Sequence, residues 1–271
     1  MKLKTILNEI LLLRESPEDD VAAIIDLPVD QFVKKFKDLA DDPKVKAMLQ
    51  AGKRDGDAQD EIVHYTIENI PCKNLIPTQS EIGQNESLTN ILTDKYNQLA
   101  GILEDNYDMP PIITFNNKYI IDGHHRWSQV YVANLHATMK CLNFKQSELE
   151  PEDILKIMHL GIVADIGELP LSNADGINML SASGKEVRHV VYSMITPDVI
   201  KIYNKFNLGS TKEQIANYIW NNVEIMQHKN RPITGAPDRN YMPQVGNAAD
   251  LPKLVSRGVV NYINPDPEDA K

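Results

Sequence analysis

This sequence has few of the features that mark secreted, membrane-spanning or disulfide-stabilised proteins. Its 271 residues include two cysteines, Cys72 and Cys141, so neither a disulfide framework nor a cysteine-based zinc site is predicted. No apolar run is long enough to span a bilayer. The N-terminus lacks a signal-peptide pattern, because charged Arg14 and Glu15 interrupt its short leucine run. We therefore expect a cytoplasmic protein with no membrane partner.

The sequence also lacks an excess of positive charge. Lys and Arg number 28 against 38 Asp and Glu, which gives a formal net charge of −10 at pH 7. Proteins that grip nucleic acid usually present a basic face. The composition therefore disfavours DNA binding and nuclease activity, although a local basic groove would revive them.

The sequence contains no P-loop and no dinucleotide-binding fingerprint. One segment, residues 111–144, nevertheless concentrates titratable groups, a glycine and a predicted helix start. Two β-prone runs in it flank Asn116 and Asn117, which can adopt positive φ, so a hairpin with a two-residue turn is predicted. The predicted strands cover residues 112–115 and 118–121.

After the hairpin the apolar residues change to a helical spacing. This spacing predicts a helix from about residue 124 to 134, with Asp122 as its N-cap. A further strand is predicted over residues 138–144. The chain thus turns sharply from strand to helix at residues 122–126, Asp-Gly-His-His-Arg, which we call the corner.

The corner combines groups that suit a phosphate ligand. A helix N-terminus offers N–H groups and partial positive charge, and Gly123 lets the backbone approach a ligand closely. Arg126 adds a planar charged fork, while His124 and His125 can donate, ligate metal or move protons. Asp122 can hold a metal ion or act as a base. The structural alternative is that Asp-Gly caps a helix and that one histidine is a buried, hydrogen-bonded side chain.

A β-hairpin followed by a D-G-H-H-R corner, a helix and a strand resembles the ParB/sulfiredoxin superfamily, and within it the ParB-like and free-serine-kinase branches. Residues 72–81, CKNLIPTQSE, are similar to the box with Pro-x-Gln and an acidic residue that opens such domains. The resemblance covers residues 62–145. It implies an α+β fold with a small mixed sheet and helices, extended here by helical N-terminal and C-terminal segments.

The resemblance also implies a nucleotide site for ATP, ADP or CTP with Mg²⁺. Asp122 would lie beside the reacting group, and Glu81 would be a second carboxylate that acts as a base or binds magnesium. With His125 they would form the catalytic set. The phosphate ligands would be Gly123, His124, His125 and Arg126. Because His124 stands where sulfiredoxins carry their catalytic cysteine, reduction of sulfinic acids is not expected.

The patterns divide the chain into four predicted parts. Residues 1–60 form a helical accessory segment and linker, residues 61–146 the core domain, residues 147–230 a helical subdomain, and residues 231–271 a C-terminal strap and tail. An amphipathic stripe over residues 3–13 predicts a helix that docks on a protein partner.

The C-terminal part contains a proline-rich loop, NRPITGAPDRNYMPQ, without a strong secondary-structure pattern. Its Arg231, Arg239 and Tyr241 could fold over the corner, and Arg239 is predicted to complete the phosphate site. The alternative is a surface strap with solvated arginines.

Two classes of function are compatible with these features. The first is a magnesium-dependent phosphotransferase or nucleotide phosphohydrolase, which acts on a nucleotide and a small-molecule substrate. The second is a non-catalytic ParB-like binding or assembly module, for example a viral particle component in the host cytoplasm or virion. A ParB-like nuclease or DNA-binding protein is disfavoured by charge. Exposed, converging Glu81 and Asp122 would favour the enzyme, and their burial in structural hydrogen bonds would favour the module.

Overall fold

The computed structural model describes residues 16–52, 65–145, 149–169 and 176–242. These residues form ten α-helices and one five-stranded mixed sheet, which confirms the predicted α+β class. The amphipathic stripe predicted over residues 3–13 lies outside them. None of the helices in these ranges has the length and apolar character that a membrane crossing requires.

The sheet is built from both antiparallel and parallel pairs. Its strands are β1 (Tyr65–Pro71), β2 (Ile76–Pro77), β3 (Ile112–Phe115), β4 (Tyr119–Asp122) and β5 (Thr138–Phe144). They lie in the order β1-β5-β3-β4-β2. The β1–β5 and β3–β4 pairs are antiparallel, and the β3–β5 and β2–β4 pairs are parallel. A parallel pair needs a crossover connection, and between β3 and β5 it includes the helix that follows β4.

The helices surround this sheet on both faces. Before it come α1 (Pro17–Ile25), α2 (Val29–Leu39) and α3 (Pro43–Gly52). Between its strands lie α4 (Gln84–Thr93), α5 (Leu99–Glu104) and α6 (His124–Ala133). After it come α7 (Pro151–Ile166), α8 (Gly184–Met194), α9 (Pro197–Lys205) and α10 (Lys212–Lys229), and a 3₁₀ turn covers Arg239–Tyr241.

Two hydrophobic cores lie on opposite faces of the sheet. The first core joins α4–α6 and α8–α10 around fully buried Trp127 and Tyr131 of α6. The second core joins α1–α3 and α7 around Phe32. Because neighbouring side chains on a strand point to opposite faces, Ile120 of β4 enters the first core and Ile121 the second. The segment predicted as one helical subdomain therefore contributes α7 to one core and α8–α10 to the other.

Candidate functional site

The hairpin and α6 position the corner. The predicted hairpin forms, and Asn116 and Asn117 take positive φ of 51° and 56° in its turn. The two-residue turn is wrong by one residue, because Phe115 pairs with Tyr119 and residues 116–118 connect the strands. The chain then turns at Gly123, whose φ is +96°. A Cβ atom there would lie 2.5 Å from Cγ2 of Ile112, so this position requires glycine. The helix predicted from about residue 124 is confirmed as α6.

The predicted N-cap at Asp122 is wrong. Gly123 occupies the N-cap position, and the α6 start has no side-chain cap hydrogen bond. The Asp122 carboxylate instead pairs with Arg126, with Oδ2 3.2 Å from Nη2. The start of α6 therefore has the partial positive charge of a helix end without a capping carboxylate or hydroxyl.

The guanidinium of Arg126 forms hydrogen bonds and an ion pair within the protein. Its Nη1 donates to the carbonyl oxygens of Pro110 and Pro111 at 3.1 and 2.9 Å, and its Nη2 faces Asp122. The side chains of Arg126 and Asp122 are 22% and 18% exposed. Arg126 thus ties the corner to the chain that enters β3, and this predicted phosphate ligand already has three protein partners.

The surroundings of Asp122 change its acidity. Burial raises the pKa of this carboxyl, while Arg126, the Gly123 N–H and Arg239 oppose the shift. A carboxylate with a raised pKa is a stronger proton acceptor than an ordinary aspartate.

Both corner histidines bind the loop that follows β2. Nε2 of His124 accepts the backbone N–H of Thr78 at 3.1 Å, and Nε2 of His125 accepts that of Gly83 at 3.2 Å. Burial lowers the pKa of His124 to about 3 and that of His125 to about 4, and the charge of Arg239 acts in the same direction. Both rings are therefore neutral at neutral pH, and they supply no positive charge for a phosphate.

Glu81 lies in the same loop and contacts the C-terminal strap. Its Oε2 accepts the backbone N–H of Arg239 at 3.4 Å. Arg239 is thus linked to Glu81 through its backbone N–H and to Asp122 through its charge, which opposes the rise in the pKa of that carboxyl. In the described ranges, no group of three or more His, Cys, Asp or Glu side chains is arranged to hold a metal ion.

Residues 231–242, which we call the strap, cross the loop after β2. Ser80 donates its N–H to the carbonyl of Pro237 at 2.9 Å and its hydroxyl to Asp238 at 2.8 Å. The next strap residue, Arg239, lies close enough to the corner for its charge to shift the pKa values of three corner side chains.

The other two residues predicted to close over the corner are placed differently. Arg231 is exposed at the start of the strap. The ring of Tyr241 faces α2, where Nζ of Lys34 and of Lys37 each lie 5.9 Å from the ring centroid. Arg239 is therefore the strap side chain whose charge acts on the corner.

Sequence reasoning missed two glutamines beside the corner. Gln79 follows the Thr78 that binds His124, and Gln84 follows the Gly83 that binds His125. Both glutamines are fully buried, yet Oε1 of Gln79 and both amide atoms of Gln84 have no hydrogen-bond partner within the described ranges.

Nε of Arg239 is a further buried polar atom without a partner in the described part of the chain. Buried polar atoms are normally paired, so three such side chains near one corner require a physical explanation. Gln79 stands in the Pro-Thr-Gln box, but no sequence pattern marks Gln84.

An open cavity of about 270 Å³ lies beside the strap. Its polar lining comprises Asp30 and Lys34 of α2 together with Ser80 and Asp238. Its lining does not include residues 122–126, so it is distinct from the corner, although Ser80 and Asp238 immediately precede Glu81 and Arg239.

No protein-family model, curated protein or solved structure gives a significant match to this chain. The relation to the ParB/sulfiredoxin superfamily therefore stays a prediction, which depends on the corner and on residues 72–81. The nucleotide, magnesium and partner assignments stay predictions with it.

Proposed function

We propose that this chain is a ParB/sulfiredoxin-like protein that binds a nucleotide through its phosphates at the corner and transfers or hydrolyses a phosphoryl group with magnesium. The observation that carries the proposal is the environment of Arg239. Its charge acts at the uncapped start of α6, and its buried Nε has no acceptor among the described residues. A charged N–H donor beside a helix N-terminus favours an anionic ligand.

The two corner histidines do not contribute positive charge to the proposed site. Since His124 and His125 carry no charge at neutral pH, the positive potential comes from Arg239 and the helix start. The unpaired Oε1 of Gln79 and the unpaired amide of Gln84 would supply neutral acceptors and a neutral donor to the ligand.

For phosphoryl transfer, Asp122 is the group suited to accept the proton of the attacking hydroxyl or water. Its pKa is raised by burial, and Arg126 fixes the orientation of its carboxylate. His125 is the third proposed catalytic group. Because its Nε2 accepts the N–H of Gly83, the proton of the neutral ring resides on Nδ1.

Glu81 is the second carboxylate of the proposed site. Magnesium usually takes one or two protein carboxylates together with substrate phosphate oxygens. With Asp122 as the base, Glu81 would supply the carboxylate that holds the ion, and the charge of the ion would offset that of the phosphates.

The test is thermal stability in ATP, ADP, CTP and GTP, each with and without Mg²⁺. A ligand that binds the native state at 100 times its Kd adds about 2.7 kcal/mol to the free energy of unfolding. We expect one nucleotide class to raise the Tm of the wild type and of the exposed-arginine control Arg231→Ala. Arg239→Ala should cut the gain to about half or less, as expected for binding that is at least tenfold weaker. No shift of the wild type with any nucleotide would overturn the proposal.

A non-catalytic binding or assembly module, such as a viral particle component, is the second candidate. It is favoured by the structural use of Asp122 and Arg126, since their side chains are satisfied within the fold. Asp122→Asn keeps an acceptor for Arg126 but loses the base. Nucleotide turnover that disappears in this variant while nucleotide binding persists would favour the enzyme, whereas binding without wild-type turnover would favour the module.

A further inference from the structure

His159 connects the second core to the strap. It is fully buried on α7, and its ring meets Phe32 edge-on with centroids 6.1 Å apart. Its Nδ1 lies 2.6 Å from the carbonyl oxygen of Leu155, and its Nε2 lies 2.7 Å from that of Tyr241. Tyr241 closes the 3₁₀ turn that begins at Arg239.

The His159 ring can donate a hydrogen bond to only one of these two carbonyl groups when it is neutral. Burial lowers the pKa of His159, so the neutral ring has a single N–H. The Leu155 carbonyl lies within α7, where it accepts the backbone N–H four residues later. The Tyr241 carbonyl lies outside any α-helix, so the tautomer with Nε2–H satisfies the group that needs a donor more.

Hydrogen bonds hold the 3₁₀ turn on two sides. Towards the corner, Glu81 accepts the N–H of Arg239, and Ser80 is bonded to the strap immediately before it. Towards the second core, His159 binds the Tyr241 carbonyl and Met242 is buried with 1% exposure. Arg239 lies between these two sets of contacts.

We infer that His159 is a positioning residue that holds the Arg239–Tyr241 turn against α7 and thereby keeps Arg239 at the corner. The effect of this contact on phosphate affinity rests on the proposed function, whereas its effect on the strap does not. The second core, which contains none of the predicted site residues, thus controls the charge at the site.

Two substitutions separate the hydrogen bond from the packing. His159→Phe keeps a ring against Phe32 but removes the donor to Tyr241. His159→Gln supplies an amide N–H that can reach the same carbonyl. Phe36→Leu is the control, since it weakens the second core without touching the strap contact.

The first readout is hydrogen exchange of backbone amides, which needs no ligand. In His159→Phe, the amides of Arg239 and Ser80 should exchange at least tenfold faster, because each of them forms a hydrogen bond between the strap and the loop after β2. The Thr78 amide, bonded to His124, should keep its protection. Gln at position 159 should restore slow exchange, and Phe36→Leu should not accelerate it selectively. Unchanged exchange of the Arg239 amide in His159→Phe would overturn the inference.

The second readout is affinity for inorganic triphosphate, a probe without a base. We expect His159→Phe to weaken binding about tenfold in the wild-type background and to have no further effect in an Arg239→Ala background, because coupled residues are not additive. Equal losses in both backgrounds would overturn the positioning role. If the wild type binds no triphosphate, the proposed function fails, and hydrogen exchange still decides whether His159 holds the strap.

Discussion

Arg126 and Arg239 both act at the corner, but they come from different regions of the chain. Arg126, from the D-G-H-H-R sequence, has three protein partners. Arg239, from the strap, has a buried Nε with no partner within the described residues. The arginine that the sequence pattern marks thus stabilises the fold, and the arginine from an irregular loop retains binding capacity.

This difference has an energetic basis. Burying a charge costs free energy unless an opposite charge or hydrogen bonds compensate for it. Asp122 and two proline carbonyl groups compensate at Arg126, whereas compensation at the Nε of Arg239 is incomplete. An anionic ligand would complete it, so the proposed phosphate affinity would come from the strap.

The largest stability effect should come from Gly123, which gives the corner its shape. Gly123→Ala places a Cβ atom 2.5 Å from Ile112 Cγ2 at a φ of +96°. We expect a loss of about 3 kcal/mol in urea unfolding, from backbone strain and overpacking together. The matched control is Gly167→Ala at the end of α7, where φ is +77° but the nearest atom lies 3.6 Å away. Equal costs at the two sites would show that the corner is not sterically constrained.

Arg126→Ala should give the next largest loss, about 2–3 kcal/mol, because it leaves the Asp122 charge without its partner. Lys201→Ala is the control, since the ion pair of Lys201 with Asp198 has 77% and 85% exposed side chains and should leave stability nearly unchanged. A loss at Arg126 no larger than at Lys201 would contradict its structural role.

Acidification should weaken the fold through the corner histidines. The folded pKa values of His124 and His125, about 3 and about 4, lie below the unfolded value of about 6.5. The unfolded state therefore binds more protons in this window, and the free energy of unfolding falls as pH falls from about 6.5 towards 4. For each histidine, the free energy of unfolding falls by up to about 1.4 kcal/mol for each unit by which the pH falls.

Two other buried groups modify this pH dependence. The lowered pKa of His159 acts in the same sense, whereas the raised pKa of Asp122 opposes it at lower pH. His125→Gln, which keeps an acceptor for Gly83, should reduce the slope by one histidine's share when stability is measured across pH 4–7. An unaltered slope would mean that His125 is not buried in its neutral form.

A smaller effect, of opposite sign, is expected at Gln84. Gln84→Met removes two unpaired amide atoms at similar volume and should raise the free energy of unfolding by about 1 kcal/mol. Gln227→Met is the matched control, since Nε2 of Gln227 donates to the Met179 and Ala182 carbonyl groups, and its loss should destabilise. Destabilisation at both positions would show that Gln84 has protein partners.

Local sequence patterns predicted the hairpin, the start of α6 and the bounds of β5, because turn residues and apolar spacing act over a few positions. The N-cap at Asp122 was wrong because an arginine four residues later competes for the same carboxylate. Capping statistics do not include that competition.

The remaining features depend on contacts between distant parts of the chain. The Glu81–Arg239 hydrogen bond joins residues 158 positions apart, and the His159–Tyr241 contact joins residues 82 apart. No spacing rule relates such residues, so His159 carried no sequence signal. The unpaired Oε1 of Gln79 and the unpaired amide of Gln84 likewise follow from the packing around them.

The most direct test of the account is calorimetric titration with inorganic triphosphate of the wild type, Arg239→Ala and Arg231→Ala. We predict that Arg239→Ala binds at least tenfold more weakly, a change of about 1.4 kcal/mol, while its unfolding midpoint stays near that of the wild type. Arg231→Ala should bind as the wild type does. Wild-type affinity in Arg239→Ala, or equal losses in both variants, would contradict the claim that the strap arginine completes a phosphate site at the corner.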